Sequence, residues 1–389
     1  MQAMLLTNGT IYTEQGKREN GSIFIDNGKI ASLNRNRATG EHQVIELPES
    51  YKIIPGFIDL HIHGAGGADM MDATPEALAT ISKRLAERGT TSFLATTMTQ
   101  ADENIEAALK NAKTCIDHQT TGAEILGVHL EGPFISPGRA GAQPSEHIRK
   151  GSVETFQRWQ DIAGNHIRLV TLAPEEDKDY ALTSHLKDTG VVASIGHSDA
   201  TYEQVNEAVE KGITHATHLF NQMRGLHHRE PGVVGAAMLN KAIRAELITD
   251  GFHVSPAMIQ LTYQQLGRDR LLLITDAMRA QCMPEGKYDL GGQDVFVEGD
   301  MAKLSDGTLA GSILTLDQAL KNTMQFTGCS LEDVIQMSSI NPAKELGIQN
   351  KKGSIGVGKD ADLVVLDDNN DVYMTLCKGE VHYRKEESE

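Results

Sequence analysis

The sequence has no apolar run approaching the roughly 20 residues needed to cross a bilayer, so no membrane-spanning segment is expected. Its first residues, Met1 to Thr10, lack a basic stretch followed by a long apolar one. A secretory signal is therefore not expected, and the cytoplasm is the expected compartment. Cysteine is sparse: Cys115, Cys282, Cys329 and Cys377 lie far apart and form no CxxC. That spacing predicts reduced, mostly buried thiols rather than a disulfide framework or a cysteine metal site. Positive charge is also short, with 36 Lys and Arg against 53 Asp and Glu, a net charge of −17. A field of that sign repels nucleic acid and anionic membranes, and excludes both as main partners. A small anion can bind only where local cations overrule it. Internal repeats and low-complexity tracts are absent, and the tail from Arg384 to Glu389 is expected to fray.

The 389 residues suffice for one barrel of about 250 residues and a smaller appendage. Residues 1–54 read as short strands joined by tight turns. Asn8-Gly9, Asn20-Gly21 and Asn27-Gly28 suit positive-φ positions, and Ser22 to Asp26 forms a β-rich run. The pattern returns at 362–366, 372–377 and 381–383. Neither end can make a stable sheet alone, so we expect 1–54 and 355–389 to meet in one small β-sandwich.

Between them, over 55–354, the period changes. Apolar runs at 57–63, 92–98, 125–131, 168–173, 191–197, 214–218, 245–250 and 271–276 alternate with helical patterns. Leu78, Ile81 and Leu85 share one face behind Thr74-Pro75, Thr99 and Asp102 suit the start of a second helix, and Thr201 with Gln204 suits a capping box. Alternating strands and helices predict parallel pairing, and eight such units predict a (β/α)8 TIM barrel. Tyr288 to Lys303 breaks the pattern and reads as a hairpin near the barrel mouth. Helical segments are expected after it at 316–326 and 331–338.

Candidate metal ligands end five of the eight runs. His61 and His63 close the first, Glu131 the third, His197 the fifth, His218 the sixth and Asp276 the eighth. Strand alternation aims His61 and His63 the same way, and imidazole suits first-row metals. A carboxylate entering a barrel interior is costly unless it is paired or binds a cation, which applies to Glu131. Asp276 could touch a metal and also accept a proton. Taken singly, each residue has an ordinary explanation: a hydrogen-bonded core histidine, an Arg-paired acid, a helix cap. Taken together, they converge on the C-terminal rim of the barrel, where chemistry is done in this fold. The set predicts a metallohydrolase. His129 shares the face of Glu131 and reads as a packing or hydrogen-bonding residue. His215 lies three positions before His218 and is assigned to the opposite side.

These residues resemble those of the amidohydrolase superfamily. Over nearly the full chain the sequence is similar to the N-acetylglucosamine-6-phosphate deacetylase family within it. The resemblance rests on His129 to Phe134, Gly196 to Asp199, Thr217 to Asn221, His228 to Gly232, Asp250 to His253, Thr275 to Met278 and Asp306 to Ser312. It implies Glu131, His197 and His218 as principal metal ligands, and His61 and His63 as a second-metal position that some members lack. Glu131 would bridge and Asp276 would lie near the first metal. One or two divalent ions per subunit are implied, with zinc, iron, manganese and cobalt all compatible. Asp276 matches the catalytic acid/base and His253 a residue that polarises the substrate carbonyl. Ala142, Gln143, Asn221, Gln222, His228, Arg229 and the turn Leu309, Ala310 and Gly311 match sugar- and phosphate-contacting positions. Gln143 stands where some members have His. The implied reaction is hydrolysis of an amino-sugar phosphate, by a homodimer whose loop at His227 to Arg229 lies near the partner subunit.

Two other readings compete. One is another amidohydrolase reaction, such as N-acyl-D-amino-acid deacylation or cyclic-amide hydrolysis. Cyclic-amide members commonly bridge their metals with a lysine ending the fourth strand, where this chain has Thr171 to Glu175. The other is a non-catalytic scaffold, which would be expected to have lost ligands that are all present here.

Overall fold

The protein is described by a computed structural model over residues 3–33, 42–118 and 121–386. Eight parallel strands follow chain order in one sheet. They are β1 (Phe57–Ile62), β2 (Thr90–Thr96), β3 (Glu124–Glu131), β4 (Ile167–Leu172), β5 (Val192–Ile195), β6 (Ile213–Ala216), β7 (Arg244–Ile248) and β8 (Leu271–Ile274). Each end differs from its apolar run by at most two residues. β2 and β8 are buried at every position, as strands covered on both faces must be. β1 and β8 close the barrel through a short seam. Ile62 bridges Ala277, His63 N donates to Ala277 O at 2.9 Å, and Asp276 N donates to His61 O at 2.9 Å. Buried Asp59 spans the same seam and accepts the Thr275 hydroxyl at 2.6 Å.

The helices are placed by the signals the sequence carries. α1 (Pro75–Ala86) starts at Thr74, whose hydroxyl accepts Ala77 N, and buries Leu78, Ile81 and Leu85. α2 (Asp102–His118) begins at Asp102, as expected. Thr99 takes no part in capping it: among the described residues its buried hydroxyl has no hydrogen-bond partner, and its backbone N–H is held by Gln143 Oε1 at 2.8 Å. Between Tyr202 and Lys211, Thr201 and Gln204 form the reciprocal capping box. The segment expected to be helical at 331–338 is α-helical only to Ile335, and a wider turn follows over Gln336–Ile340.

Both chain ends build two packed sheets. One orders Lys29–Leu33, Ser22–Asp26, Met4–Thr7 and Gln43–Glu46. The other orders Glu380–Arg384, Val372–Cys377, Leu363–Leu366, Lys52–Pro55, Thr10–Thr13 and Gly16–Arg18. The ends meet where Ile53 pairs with Val365, and Leu6, Ile11, Ile23, Leu363 and Met374 fill the shared core. Asn8, Asn20 and Asn27 take positive φ at the turns. The tail holds further than expected: Arg384 belongs to the last strand and Lys385 N donates to Tyr373 O at 2.8 Å, while 387–389 lie outside the described residues. Buried Lys352 ties this region to the barrel, with Nζ 2.6 Å from Glu124 Oε2 and 2.5 Å from Asp362 Oδ2.

The expected hairpin is a three-stranded antiparallel sheet, Gly286–Leu290, Gln293–Glu298 and Met301–Leu304. Leu290, Val295, Val297 and Ala302 pack on Met98, Met278 and Ala310, which seats the sheet against the mouth of the barrel. Among the described residues no helix is long and apolar enough to cross a membrane. Cys115, Cys329 and Cys377 are buried thiols, and Cys282 is exposed.

Candidate metal centre and active site

The strand ends bring all six candidate ligands together. Glu131, the last residue of β3, points its Oε1 at His197 Nε2 (3.3 Å), His218 Nε2 (3.2 Å) and His61 Nε2 (3.4 Å). Its Oε2 lies 3.3 Å from His63 Nε2. Asp276 Oδ1 stands 3.3 Å from both His61 Nε2 and His63 Nε2. Two ligand sets result, Glu131 with His197 and His218, and His61 with His63 and Asp276. Asp276 thus groups with the second set, whereas the resemblance placed it near the first. Glu131 touches both.

Local backbone geometry aims these side chains. His197, His218 and Asp276 sit just past their strands with φ of 47°, 29° and 50°. Left-handed backbone at non-glycine residues costs about 1–3 kcal/mol each and persists where surrounding structure imposes it. Here hydrogen bonds impose it: Ser312 N donates to Asp276 O at 2.7 Å, and His218 N donates to Glu246 Oε2 at 3.1 Å. Gly311 has φ +61°, and a Cβ there would lie 3.2 Å from Asp276 O, so the turn needs glycine to approach this closely.

The donor set fits a metal. His61 Nδ1 faces Glu246 Oε2 at 3.0 Å, His63 Nδ1 faces Thr96 O at 3.3 Å, and His197 Nδ1 faces Arg139 O at 2.8 Å. An acceptor at Nδ1 places the proton there and leaves Nε2 as a lone pair directed into the cluster. Among the described residues His61 Nε2, fully buried, has no hydrogen-bond partner. His197 Nε2 and His218 Nε2 face each other at 3.1 Å, a contact that a shared cation satisfies well.

Above the ligands lies a cavity of about 210 Å³. Its wall includes His63, Glu131, His197, His218 and Asp276, then Ala142, Gln143, Asn221, Gln222, His253, Leu309 and Gly311. Three expected contact residues lie elsewhere. Ala310 is buried against the three-stranded sheet, and His228 and Arg229 are exposed on a loop outside this wall. Gln143 Nε2 donates to Glu131 Oε2 at 2.8 Å, so its amide joins the Thr99 backbone to the Glu131 carboxylate. His253 Nδ1 faces Asp250 Oδ2 at 2.5 Å, which leaves Nε2 for the cavity. Burial opposes charge on His253, yet the bond to Asp250 raises it above the usual histidine range. Asp276 is likewise buried.

With this geometry in view, comparison with known proteins decides the family. The amidohydrolase family model matches residues 53–382. The chain belongs to the amidohydrolase family. It is 46% identical to the N-acetylglucosamine-6-phosphate deacetylase of Bacillus subtilis (strain 168), over 100% of this chain and 99% of that protein. The solved structure of the N-acetylglucosamine-6-phosphate deacetylase of Thermotoga maritima superimposes with a TM-score of 0.88 at 36% identity, covering 98% of this chain and 100% of the other. A variant of the Mycobacterium smegmatis enzyme in complex with N-acetyl-D-glucosamine-6-phosphate gives a TM-score of 0.91 at 32% identity, with 98% and 100% covered.

This amidohydrolase also has buried polar residues that sequence reasoning left aside. His129, read from the sequence as a packing or hydrogen-bonding residue, uses both ring nitrogens in buried hydrogen bonds. Nδ1 faces Leu60 O at 3.1 Å, Nε2 faces Thr171 Oγ1 at 2.7 Å, and burial beside His61 lowers its pKa to about 3. Glu246, in mid-strand β7, was not singled out. An acid between Ala245 and Leu247 in an apolar run was the available signal. Glu175 accepts the Ser198 hydroxyl at 2.7 Å and Asp199 N at 2.5 Å, which braces the turn that carries His197. Asp199 in turn binds Arg139 and Arg224, the former through a 2.6 Å contact.

Proposed function

We propose that the chain is a divalent-metal-dependent deacetylase that hydrolyses N-acetylglucosamine 6-phosphate to glucosamine 6-phosphate and acetate. The observation that carries this is full-length kinship to enzymes of that name, joined to a complete histidine and carboxylate set around one cavity. Glu131, His197 and His218 would hold one ion, and His61, His63 and Asp276 a second. A bound divalent ion supplies Lewis acidity, which lowers the pKa of a ligated water from about 15.7 toward 7.

The chain's own residues do the rest. Asp276 accepts a proton from the attacking water and returns it to the amide nitrogen as the C–N bond breaks, so the amine leaves neutral. His253, oriented by Asp250, donates from Nε2 to the acetamide oxygen as negative charge builds there. Gln143, Asn221 and Gln222 lie where sugar hydroxyls would bind, beside the turn of Leu309 and Gly311. Arg229 and His228 supply the cations that a phosphate needs in so acidic a protein, and a guanidinium can bind two phosphate oxygens at once. Both are exposed, and Arg229 Nη1 rests 2.7 Å from His228 Nε2. The neighbouring Glu230 is engaged elsewhere, by Tyr202 N and Gly232 N. We place this loop beside a partner subunit in a homodimer, a reading that the exposed Leu226 next to it supports.

The catalytic unit is assigned to 55–354 and the sandwich to 1–54 with 355–389. The role is in amino-sugar catabolism and cell-wall sugar recycling. A charged sugar phosphate does not cross a bilayer unaided, so the enzyme must share a compartment with its substrate, and we place both in the cytoplasm. The test is acetate release from N-acetylglucosamine 6-phosphate, N-acetylglucosamine and an N-acyl-D-amino acid. Preference for the first supports the reading, and preference for the acyl amino acid replaces it.

A further inference from the structure

Beneath the ligand layer the barrel holds a row of ionisable side chains that the reaction above does not use. Glu246 is fully buried. One of its oxygens, Oε2, takes both His61 Nδ1 at 3.0 Å and the His218 backbone N–H at 3.1 Å. The other, Oε1, lies 3.1 Å from His215 Nε2. His215 Nδ1 lies 3.2 Å from Glu345 Oε1, and Arg244 Nη1 lies 2.8 Å from Glu345 Oε2. The row runs from a metal-ligand histidine to Arg244, the first residue of β7, whose side chain is 40% exposed at the opposite end of the barrel.

The charges balance along it. With carboxylate oxygens against both ring nitrogens, His215 donates from both and is an imidazolium. Burial opposes that charge, but the bonds to Glu246 and Glu345 raise its pKa to about 9. Two carboxylates face one imidazolium and one guanidinium, so the row is neutral and His61 need not be protonated. An unpaired carboxylate at this depth would be expensive, which is why Glu246 requires His215.

We propose that Glu246 is a positioning residue for the metal centre, anchored by His215, and that it sets the affinity of the centre for its ion. Through one oxygen it fixes the tautomer and ring of His61 together with the strained backbone of His218, so it acts on both ligand sets at once. Carboxylates hydrogen-bonded to ligand histidines raise ligand basicity, and their loss typically weakens metal binding about 10–100-fold. This rests on His61 and His218 being ligands.

The experiment equilibrates zinc-loaded wild type and Glu246→Gln against chelator buffers of graded free zinc and measures zinc per subunit. Glutamine keeps the volume, and its carbonyl can still accept from His61 and His218. The variant should release zinc at about 10–100-fold higher free zinc, and its cobalt form should show an altered visible spectrum. Coincident release curves and spectra, with both chelated proteins folded, would overturn the proposal. If chelated Glu246→Gln is unfolded at the assay temperature, His215→Gln takes its place with the same two outcomes. A wild type that retains no zinc would instead overturn the ligand assignment itself.

Discussion

His197 Nε2 and His218 Nε2 stand 3.1 Å apart, each also within 3.3 Å of Glu131 Oε1. Without a cation the two nitrogens can share only one proton, and a buried carboxylate must balance what remains. An ion bound only by the folded state stabilises it in proportion to RT ln(1 + [L]/Kd), about 4 kcal/mol at a thousandfold excess over Kd. Chelation should therefore lower the thermal midpoint by several degrees, and added zinc or cobalt should restore it. An identical midpoint with and without metal would argue against a centre at these residues.

Arg229 is exposed, and its Nη1 lies 2.7 Å from His228 Nε2. Arg229→Ala should raise KM for the phosphorylated sugar at least tenfold, the value of roughly 1.4 kcal/mol for a lost charge-assisted contact, while leaving KM for N-acetylglucosamine nearly unchanged. Equal effects on the two substrates would remove the phosphate role.

Gln143 holds Thr99 N–H with its carbonyl and Glu131 Oε2 with its amide. Gln143→Leu preserves most of the volume and removes both bonds. A buried donor left unpaired costs about 1–3 kcal/mol. We expect kcat/KM to fall about 10–100-fold, with bound metal retained. Unchanged kinetics would mean that neither bond matters to Glu131.

Much of this arrangement was legible in the sequence. The barrel strands are buried over most of their length, so their apolar runs stand out, and the candidate ligands end five of those runs. The remainder depended on contacts between distant segments. Alternation assigns His215 and His218 to opposite sides, but His218 lies beyond the end of β6 with φ of 29°, where alternation no longer holds. Glu246 meets His215 through its ring and His218 through its backbone N–H, while the His218 ring turns to Glu131 and His197. Gln143 reads as a sugar contact, and only the fold of the loop after β3 brings it to Glu131. The strands over 286–304 were visible, with breaks at Gly291-Gly292 and at Glu298-Gly299-Asp300, but that all three segments pair in one sheet rather than in a simple hairpin was not.

The His215 row gives a pH signature. Its folded-state pKa is raised from 6.5 to about 9, so protonation favours the folded form. That contribution is complete below about 6.5 and disappears as pH rises through about 9. In chelated protein, the difference in urea midpoint between wild type and His215→Gln should narrow from pH 6 to pH 9.5. A gap that stays constant or widens would show that His215 is not charged in the folded state.

The most direct test of the account is Asp276→Asn, assayed for metal content and for acetate release from N-acetylglucosamine 6-phosphate. An amide can still offer an oxygen to an ion but cannot take and return a proton. General acid/base catalysis contributes about 10²–10⁴-fold, so the variant should keep its metal and lose turnover by at least a hundredfold. Near-normal acetate release by the variant would contradict the role given to this residue and the mechanism built on it.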